Sequence, residues 1–260
     1  MTTSLLNRKI LVTREASQAK KFSKMIAQFG GVPIEVPLLD IHCLKNIAYE
    51  PLWNRLDSYN WLFFTSANGV ACFFQELDER KQTIHLQETF KIAAVGHKTE
   101  EALKVRNISA DFIPSVYDAD TMSAEFLARY PEEQGPILLI RGTRSRDVLP
   151  KVFAENGIIF DALEIYETVT NMKLDSTLQE TMYKESFDFI TFTSPSCIQA
   201  FIEMGGTKYL HSSTVISCIG TTTEKKARQV GFTNIIVPRI FTIEGMIESM
   251  ATYLTKEVDD

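Results

Sequence analysis

The chain has 260 residues, a net charge of −6, and 45% hydrophobic against 23% charged residues. This composition excludes wholesale disorder and fibrous structure, and the acidic balance argues against a nucleic-acid partner, whose phosphates call for a basic field. The length is generous for one core and comfortable for two of about 130 residues each.

An apolar strand at 9–12 ends at Thr13-Arg14, and a helix follows with Ala19, Phe22, Ile26 and Phe29 on one face. Gly30-Gly31 stops it before a second strand at 33–36, and 37–44 reads as extended. Trp61-Leu62-Phe63-Phe64 is a strand that meets Thr65-Ser66-Ala67-Asn68 and a helix carrying Val70, Phe73, Phe74 and Leu77; 78–87 reads as solvated loop. The strand at 92–95 stops at Gly96, with Thr99 in the helix beyond. A strand at 137–140 runs into Arg141-Gly142-Thr143-Arg144-Ser145-Arg146, then a helix face of Val148, Leu149, Val152 and Phe153. Asn156-Gly157 stops that helix, a return strand spans 162–166, and 164–169 is a second extended stretch. The strand at 189–192 enters Thr193-Ser194-Pro195-Ser196 and a helix with Ile198, Phe201 and Ile202; the strand at 215–219 meets Gly220. Ser196-x-x-Gln199 and Thr221-x-x-Glu224 fit capping boxes, Pro195 suits a first helical turn, and 256–260 reads as a solvated terminus.

A vocabulary recurs along this order. Phe64-Thr65-Ser66 returns 128 residues on as Phe192-Thr193-Ser194, Gly96-x-x-Thr99 returns 124 residues on as Gly220-x-x-Thr223, and Arg14 has an echo in Arg141. Apolar runs that stop at small hydroxyl residues, glycine or arginine and then turn amphipathic are buried parallel strands opening into helices. The fold class is therefore α/β, with parallel sheets flanked by helices. A duplicated set of strand-end loops is expected to face a cleft that holds the function. The unit order is arginine, hydroxyl, arginine, hydroxyl; periodicity leaves open whether the units pair in tandem or the outer pair encloses the inner pair.

No run approaches a membrane span, the start lacks a signal-peptide core, and Cys43, Cys72, Cys197 and Cys218 are far apart with no C-x-x-C pair. Reduced thiols in a cytoplasmic protein are the expectation. The histidines (His42, His85, His97, His211) lack ligand spacing, so no metal is expected, and His97 beside Gly96 reads as a surface residue. Phosphate-loop and nucleophile-elbow motifs are missing.

What remains is a set of strand-end residues, Thr65, Ser66, Asn68, Gly96, Thr99, Ser194, Ser196, Thr222 and Thr223, each beside a helix start whose first N–H groups lack intrahelical partners. Singly, such residues are caps worth about 1 kcal/mol. As a repeated set they suit an anion receptor, and Arg14 and Arg141 at corresponding strand ends suit carboxylates. Tyr166, taken alone, reads as a packing residue with a wet hydroxyl.

The chain resembles the uroporphyrinogen-III synthase family through Leu11-Val12-Thr13-Arg14, Phe64-Thr65-Ser66-Ala67-Asn68, Ala94-Val95-Gly96-x-x-Thr99, Ile140-Arg141-Gly142, Ile165-Tyr166-Glu167-Thr168, Phe192-Thr193-Ser194-Pro195-Ser196 and Ile219-Gly220-x-x-Thr223. The resemblance implies two flavodoxin-like domains joined by a two-stranded β-ladder, with residues 1–37 and 169–260 forming one and 40–166 the other. It implies a cofactor-free, cyclising hydro-lyase that closes the linear tetrapyrrole hydroxymethylbilane with inversion of its last ring, in a monomer that binds neither nucleic acid nor membrane. Tyr166 takes the position of the family's helper for hydroxyl departure, Thr99 and Thr223 those of two family threonines, and Ser194 and Ser196 those of loop hydroxyls. A loop that often reads T-S-P-R in the family is Thr65-Ser66-Ala67-Asn68 here, which withdraws one arginine contact. A two-domain anion-binding or sensor protein is the non-catalytic alternative, and a nucleotide-dependent transferase is weakened by the missing phosphate motifs.

Overall fold

The computed structural model describes residues 4–82, 90–131 and 135–256. Its contacts divide the chain into two units: Met1–Asp40 with Val169–Asp260 (unit 1), and Ile41–Thr168 (unit 2).

In unit 1, β1 (Lys9–Val12), α1 (Ala16–Gln28) and β2 (Val32–Glu35) come from the first segment. Gly30 closes α1 in the left-handed region at φ +82°, which a side chain would resist. The short extended segment β3 (Leu39–Cys43) carries the chain into unit 2. There follow α2 (Glu50–Trp53), β4 (Trp61–Phe64), α3 (Ala67–Arg80), β5 (Lys91–Ala94), α4 (His97–Lys104), α5 (Ala119–Arg129), β6 (Ile137–Gly142), α6 (Val148–Glu155) and β7 (Phe160–Thr170). The return to unit 1 supplies α7 (Asp175–Lys184), β8 (Phe189–Phe192), α8 (Pro195–Glu203), β9 (Val215–Cys218), α9 (Thr221–Gln229), β10 (Ile235–Ile236) and α10 (Ile243–Lys256).

The sheet of unit 1 runs β2-β1-β8-β9-β10 with every pair parallel. Unit 2 runs β3-β7-β6-β4-β5, parallel from β7 to β5, and an isolated parallel bridge sets Phe112 beside Ala93 of β5. If unit 2 is counted from β6, its order β7-β6-β4-β5-Phe112 repeats the order 2-1-3-4-5 of unit 1. Unit 2 is thus a circular permutation of unit 1, with β3 added beside β7.

Because parallel strands carry helices on both faces, they must be apolar throughout, and β4, β8 and β9 are buried at every residue. Alternation still sorts the side chains. Ile10 and Val12 pack with Phe22, Ile26, Met246 and Met250, while Leu11 faces Leu178, Ile198 and Phe201. In unit 2, Leu62 and Phe64 meet Phe73 and Leu77, and Trp61 and Phe63 meet Phe126 and Phe153. Phe63 stands edge-on to Phe126 at 4.7 Å between centroids, a favoured quadrupole geometry.

Several local expectations change. Residues 78–80 continue α3 rather than forming loop, because Asp78-Glu79-Arg80 extends the helix to a left-handed cap at Lys81. Residues 83–89, including His85, and the tail from 257 lie outside the described residues. The two capping boxes do not form: Ser194 and Gly220 are the caps, which places Ser196 and Thr221 inside their helices. Gln199 and Glu224 bond one turn onward instead, to Glu203 and Arg228.

The expectation of four reduced thiols is also corrected. Cys43 on β3 and Cys72 on α3 form a disulfide, and Cys197 and Cys218 are free and buried. The 29-residue separation carries no spacing signature, so only the packing of α3 beside β3 brings the two together. The thiol argument for a reducing compartment falls with it. Burial pushes the Cys218 thiol up to about 12. Thiol titration of the unfolded, unreduced protein should find two thiols rather than four. Native alkylation at pH 8 should spare Cys218, and reduction should lower unfolding stability by about 3–4 kcal/mol in urea titrations. Four thiols before reduction would remove the bridge.

Candidate functional site

Parallel register brings the carboxyl ends of β6, β4 and β5 to one edge of the unit 2 sheet, so the turns after Arg141, Phe64 and Ala94 open side by side. Tyr166 belongs to this edge. A register shift between Arg141 and Gly142 sets Gly142 opposite Tyr166, and the Thr143 amide donates to the Tyr166 carbonyl at 3.0 Å. The phenol ring then lies against the bare α-carbon of Gly142: a Cβ there would stand 2.6 Å from Cζ and 2.9 Å from the phenolic oxygen. Only glycine lets the ring sit so close.

Ser66 holds the other side of the phenol. Its Oγ donates to the Tyr166 oxygen at 2.9 Å and accepts from the Gly69 amide at 3.0 Å as the N-cap of α3. With Ser66 as donor, the phenolic proton remains available to a third group at the sheet edge. Thr65 turns inward, its Oγ1 donating to the Ile140 carbonyl at 3.0 Å, and Asn68 lies half-buried on the first turn of α3.

Gly96 caps α4 without a side-chain hydrogen bond, and Thr99 is buried. His97 is exposed and faces the half-buried Glu100 and the exposed Glu101. Arg141 is 5% exposed. Its Nη2 donates to the Ser145 carbonyl and, at 2.8 Å, to Asp147 Oδ1, so the guanidinium ties down its own loop. Its buried Nε has no hydrogen-bond partner, with Glu164 at 4.0 Å. Arg141, Thr65, Val95, Tyr117 and Asp118 are among the residues lining a cavity of about 270 Å³.

Unit 1 carries the corresponding edge at Thr13-Arg14, Thr193-Ser194 and Gly220. Arg14 is half-buried, and its Nε donates to the neutral Gln18 Oε1 at 2.8 Å, with Nη2 bonding the same oxygen. Burial lowers its guanidinium below the ordinary value, against the pull of the nearby Cys197, Glu15 and Glu244. Ser194 caps α8 by accepting from the Cys197 amide at 3.2 Å. Ser196 is half-buried, Thr222 exposed and Thr223 buried, the last matching Thr99 in unit 2. Arg14 and Arg141 are therefore equivalent in sequence and different in use, because Asp147 stands six residues after Arg141 and captures it. Gly142 is not among the candidates read from sequence; its place opposite a strand tyrosine picks it out. No group of three or more His, Cys, Asp or Glu among the described residues could hold a metal ion.

The fold class is thus two units of parallel α/β architecture, each with a polar strand-end edge of hydroxyls, helix-start amides and few charges. Comparison with known proteins narrows that class. The family model for uroporphyrinogen-III synthase HemD matches residues 20–248, and the chain belongs to that family. The uroporphyrinogen-III synthase of Chlorobaculum parvum is 30% identical over 253 residues, covering 94% of this chain and 98% of that protein. The porphyrin biosynthesis protein HemD of Ruminiclostridium josui is 26% identical over 96% of this chain, which spans only 49% of that relative's length. Among solved structures, uroporphyrinogen-III synthetase of Helicobacter pylori aligns with a TM-score of 0.63 at 17% identity, covering 96% of this chain and all of that one. The Thermus thermophilus enzyme aligns at 0.58 with 16% identity, covering 96% and 99%. At these identities the structural likeness speaks for the fold.

Ser66→Ala removes both the α3 cap and the bond to Tyr166, and urea unfolding should show a loss of about 1 kcal/mol. Ser194→Ala, which loses a cap alone, should cost the same or less. A stability unchanged by Ser66→Ala would mean that neither bond persists in solution.

Proposed function

We propose that the chain is a cyclising hydro-lyase that converts hydroxymethylbilane to uroporphyrinogen III with inversion of the last ring. Family membership supports this reading, and the placement of the Tyr166 phenol carries it. The substrate's eight carboxylates suit two flavodoxin-like edges lined with amides and hydroxyls. Arg14, Asn68, Gly96, Ser194, Ser196 and Thr222 are proposed as its contacts. Thr65, Thr99, Arg141 and Thr223, which are buried or bonded within the fold, are proposed to shape the loops those contacts stand on.

The first bond to break is the C–O bond of the terminal hydroxymethyl group. The pyrrole nitrogen pushes electrons into the ring system as the C–O bond breaks. Tyr166 gives the departing oxygen a proton, which the pyrrole N–H returns by way of solvent, so water leaves and a neutral azafulvene remains. The substituted α-carbon of the last ring attacks the azafulvene carbon to give a spiro-pyrrolenine. The bond from that α-carbon to its original methylene bridge then breaks, leaving an azafulvene on the third ring. The free α-carbon of the last ring attacks that methylene and loses its proton. The same closure without inversion proceeds unaided, so steering is the larger task. A hundredfold preference needs about 2.7 kcal/mol of differential stabilisation, within reach of positioning.

The deciding experiment incubates the protein with freshly generated hydroxymethylbilane and resolves the uroporphyrin isomers. Type III product without added metal or nucleotide is expected; a mixture matching the uncatalysed type I control would overturn the reading in favour of a binding protein. Tyr166→Phe should lower kcat by about ten- to a hundredfold with stability nearly unchanged, the lower end of general-acid assistance because the pyrrole itself expels the leaving group. Gly142→Ala should lower kcat in the same direction, since its Cβ displaces the ring without straining a backbone that needs no positive φ. Wild-type turnover in Tyr166→Phe would return the residue to packing.

A further inference from the structure

A second repeat lies just past the strand-end turns. Ile113-Pro114-Ser115-Val116-Tyr117-Asp118 recurs 124 residues on as Val237-Pro238-Arg239-Ile240-Phe241-Thr242, the same offset that separates Gly96 from Gly220. The two loops are built alike. Each follows the fifth strand position of its sheet, Phe112 in unit 2 and β10 in unit 1. Each ends in a side chain that receives the amide three residues on, Asp118 from Thr121 at 2.7 Å and Thr242 from Gly245 at 3.0 Å.

Both loops set an aromatic ring on the glycine of the adjacent turn. A Cβ at Gly96 would stand 2.8 Å from Tyr117 Cβ and 2.9 Å from its Cγ, and one at Gly220 would stand 3.2 Å from Phe241 Cγ and Cδ2. The glycines make room for the rings, yet the rings do not sink into the protein. Tyr117 is 63% exposed and Phe241 56% exposed, and the residue before each, Val116 or Ile240, is exposed as well. Capping a turn would be served better by a ring folded down, since each buried apolar surface stabilises and each exposed one does not. Placing the same half-exposed ring twice, against the glycine of equivalent turns, instead presents a flat apolar face beside the polar set of each unit. In unit 2 the ring shares a cavity with Thr65 and Arg141.

We propose that Tyr117 and Phe241 are stacking platforms, each offering within its own unit a face for a pyrrole ring of the linear tetrapyrrole, beside amides and hydroxyls of that unit that suit carboxylates. This rests on the reading of the preceding section. A pyrrole is a planar, electron-rich ring, and offset or edge-on contact with Tyr or Phe favours it over water. The platforms supply what the polar groups cannot, a preference for ring orientation, which a reaction that inverts one ring out of four requires.

The test measures steady-state turnover of hydroxymethylbilane by the wild type and by Tyr117→Ala, Phe241→Ala, Tyr117→Leu, Phe241→Leu, Tyr117→Phe and Phe241→Tyr, with thermal unfolding of each. The rings are more than half exposed, so the variants should melt within a few degrees of the wild type. KM should rise about two- to tenfold in each Ala variant, the range of one aromatic contact, with kcat changed less than KM. The Leu variants should resemble Ala, because they restore bulk without a ring, and Tyr117→Phe and Phe241→Tyr should restore the wild-type KM. Unchanged KM in both Ala variants, or rescue by Leu, overturns the platforms while leaving the type III activity of the wild type standing. A wild type that forms no type III isomer overturns the parent reading, and the platforms fall with it.

Discussion

The hydrogen bonding of strand ends governs this protein. A parallel strand buried on both faces can leave its sheet only where the next backbone groups find partners. Here the partner is the neighbouring strand's last carbonyl. The Val95 amide bonds the Phe64 carbonyl at 3.1 Å, and the Ile219 amide bonds Phe192 in the same way at 3.0 Å. Thr65 gives both its amide and its hydroxyl to Ile140. Once those bonds are made the chain turns at a small residue and opens a helix whose first amides point outward. The polar edge is thus a by-product of finishing the sheet, and its hydroxyls hold the turn.

That origin explains what the sequence could disclose. Apolar runs broken by Thr-Ser or glycine read directly as strands and turns, because burial fixes one and backbone satisfaction the other. The repeat offsets located the equivalent turns in both units. They could not disclose which hydroxyl remains free, since that depends on neighbours: Ser66 reaches Tyr166, whereas Ser194 reaches Cys197. Nor could they separate Arg14 from Arg141, whose difference lies in a carboxylate on the following turn.

Two misreadings have a common cause. Ser196-x-x-Gln199 and Thr221-x-x-Glu224 match a capping pattern, but the helices begin two residues and one residue earlier, at caps with extended backbone that the strand ends dictate. Tertiary position overrode local chemistry. The Cys43–Cys72 bridge joins a strand to a helix across unit 2, a proximity that no local pattern encodes.

The permuted order of unit 2 has a temporal meaning. A chain made from its amino end completes Ile41–Thr168 while unit 1 still waits for β8, β9 and β10. Until then β1 and β2 form only a lone parallel pair, which is too small a surface to hold. Closing a loop as long as unit 2 costs entropy that grows with the logarithm of its length. A unit 2 already folded lays β3 beside β7, so the strands leaving it emerge as neighbours and the long loop becomes a short one. The inserted unit then acts as an internal scaffold for the one that surrounds it.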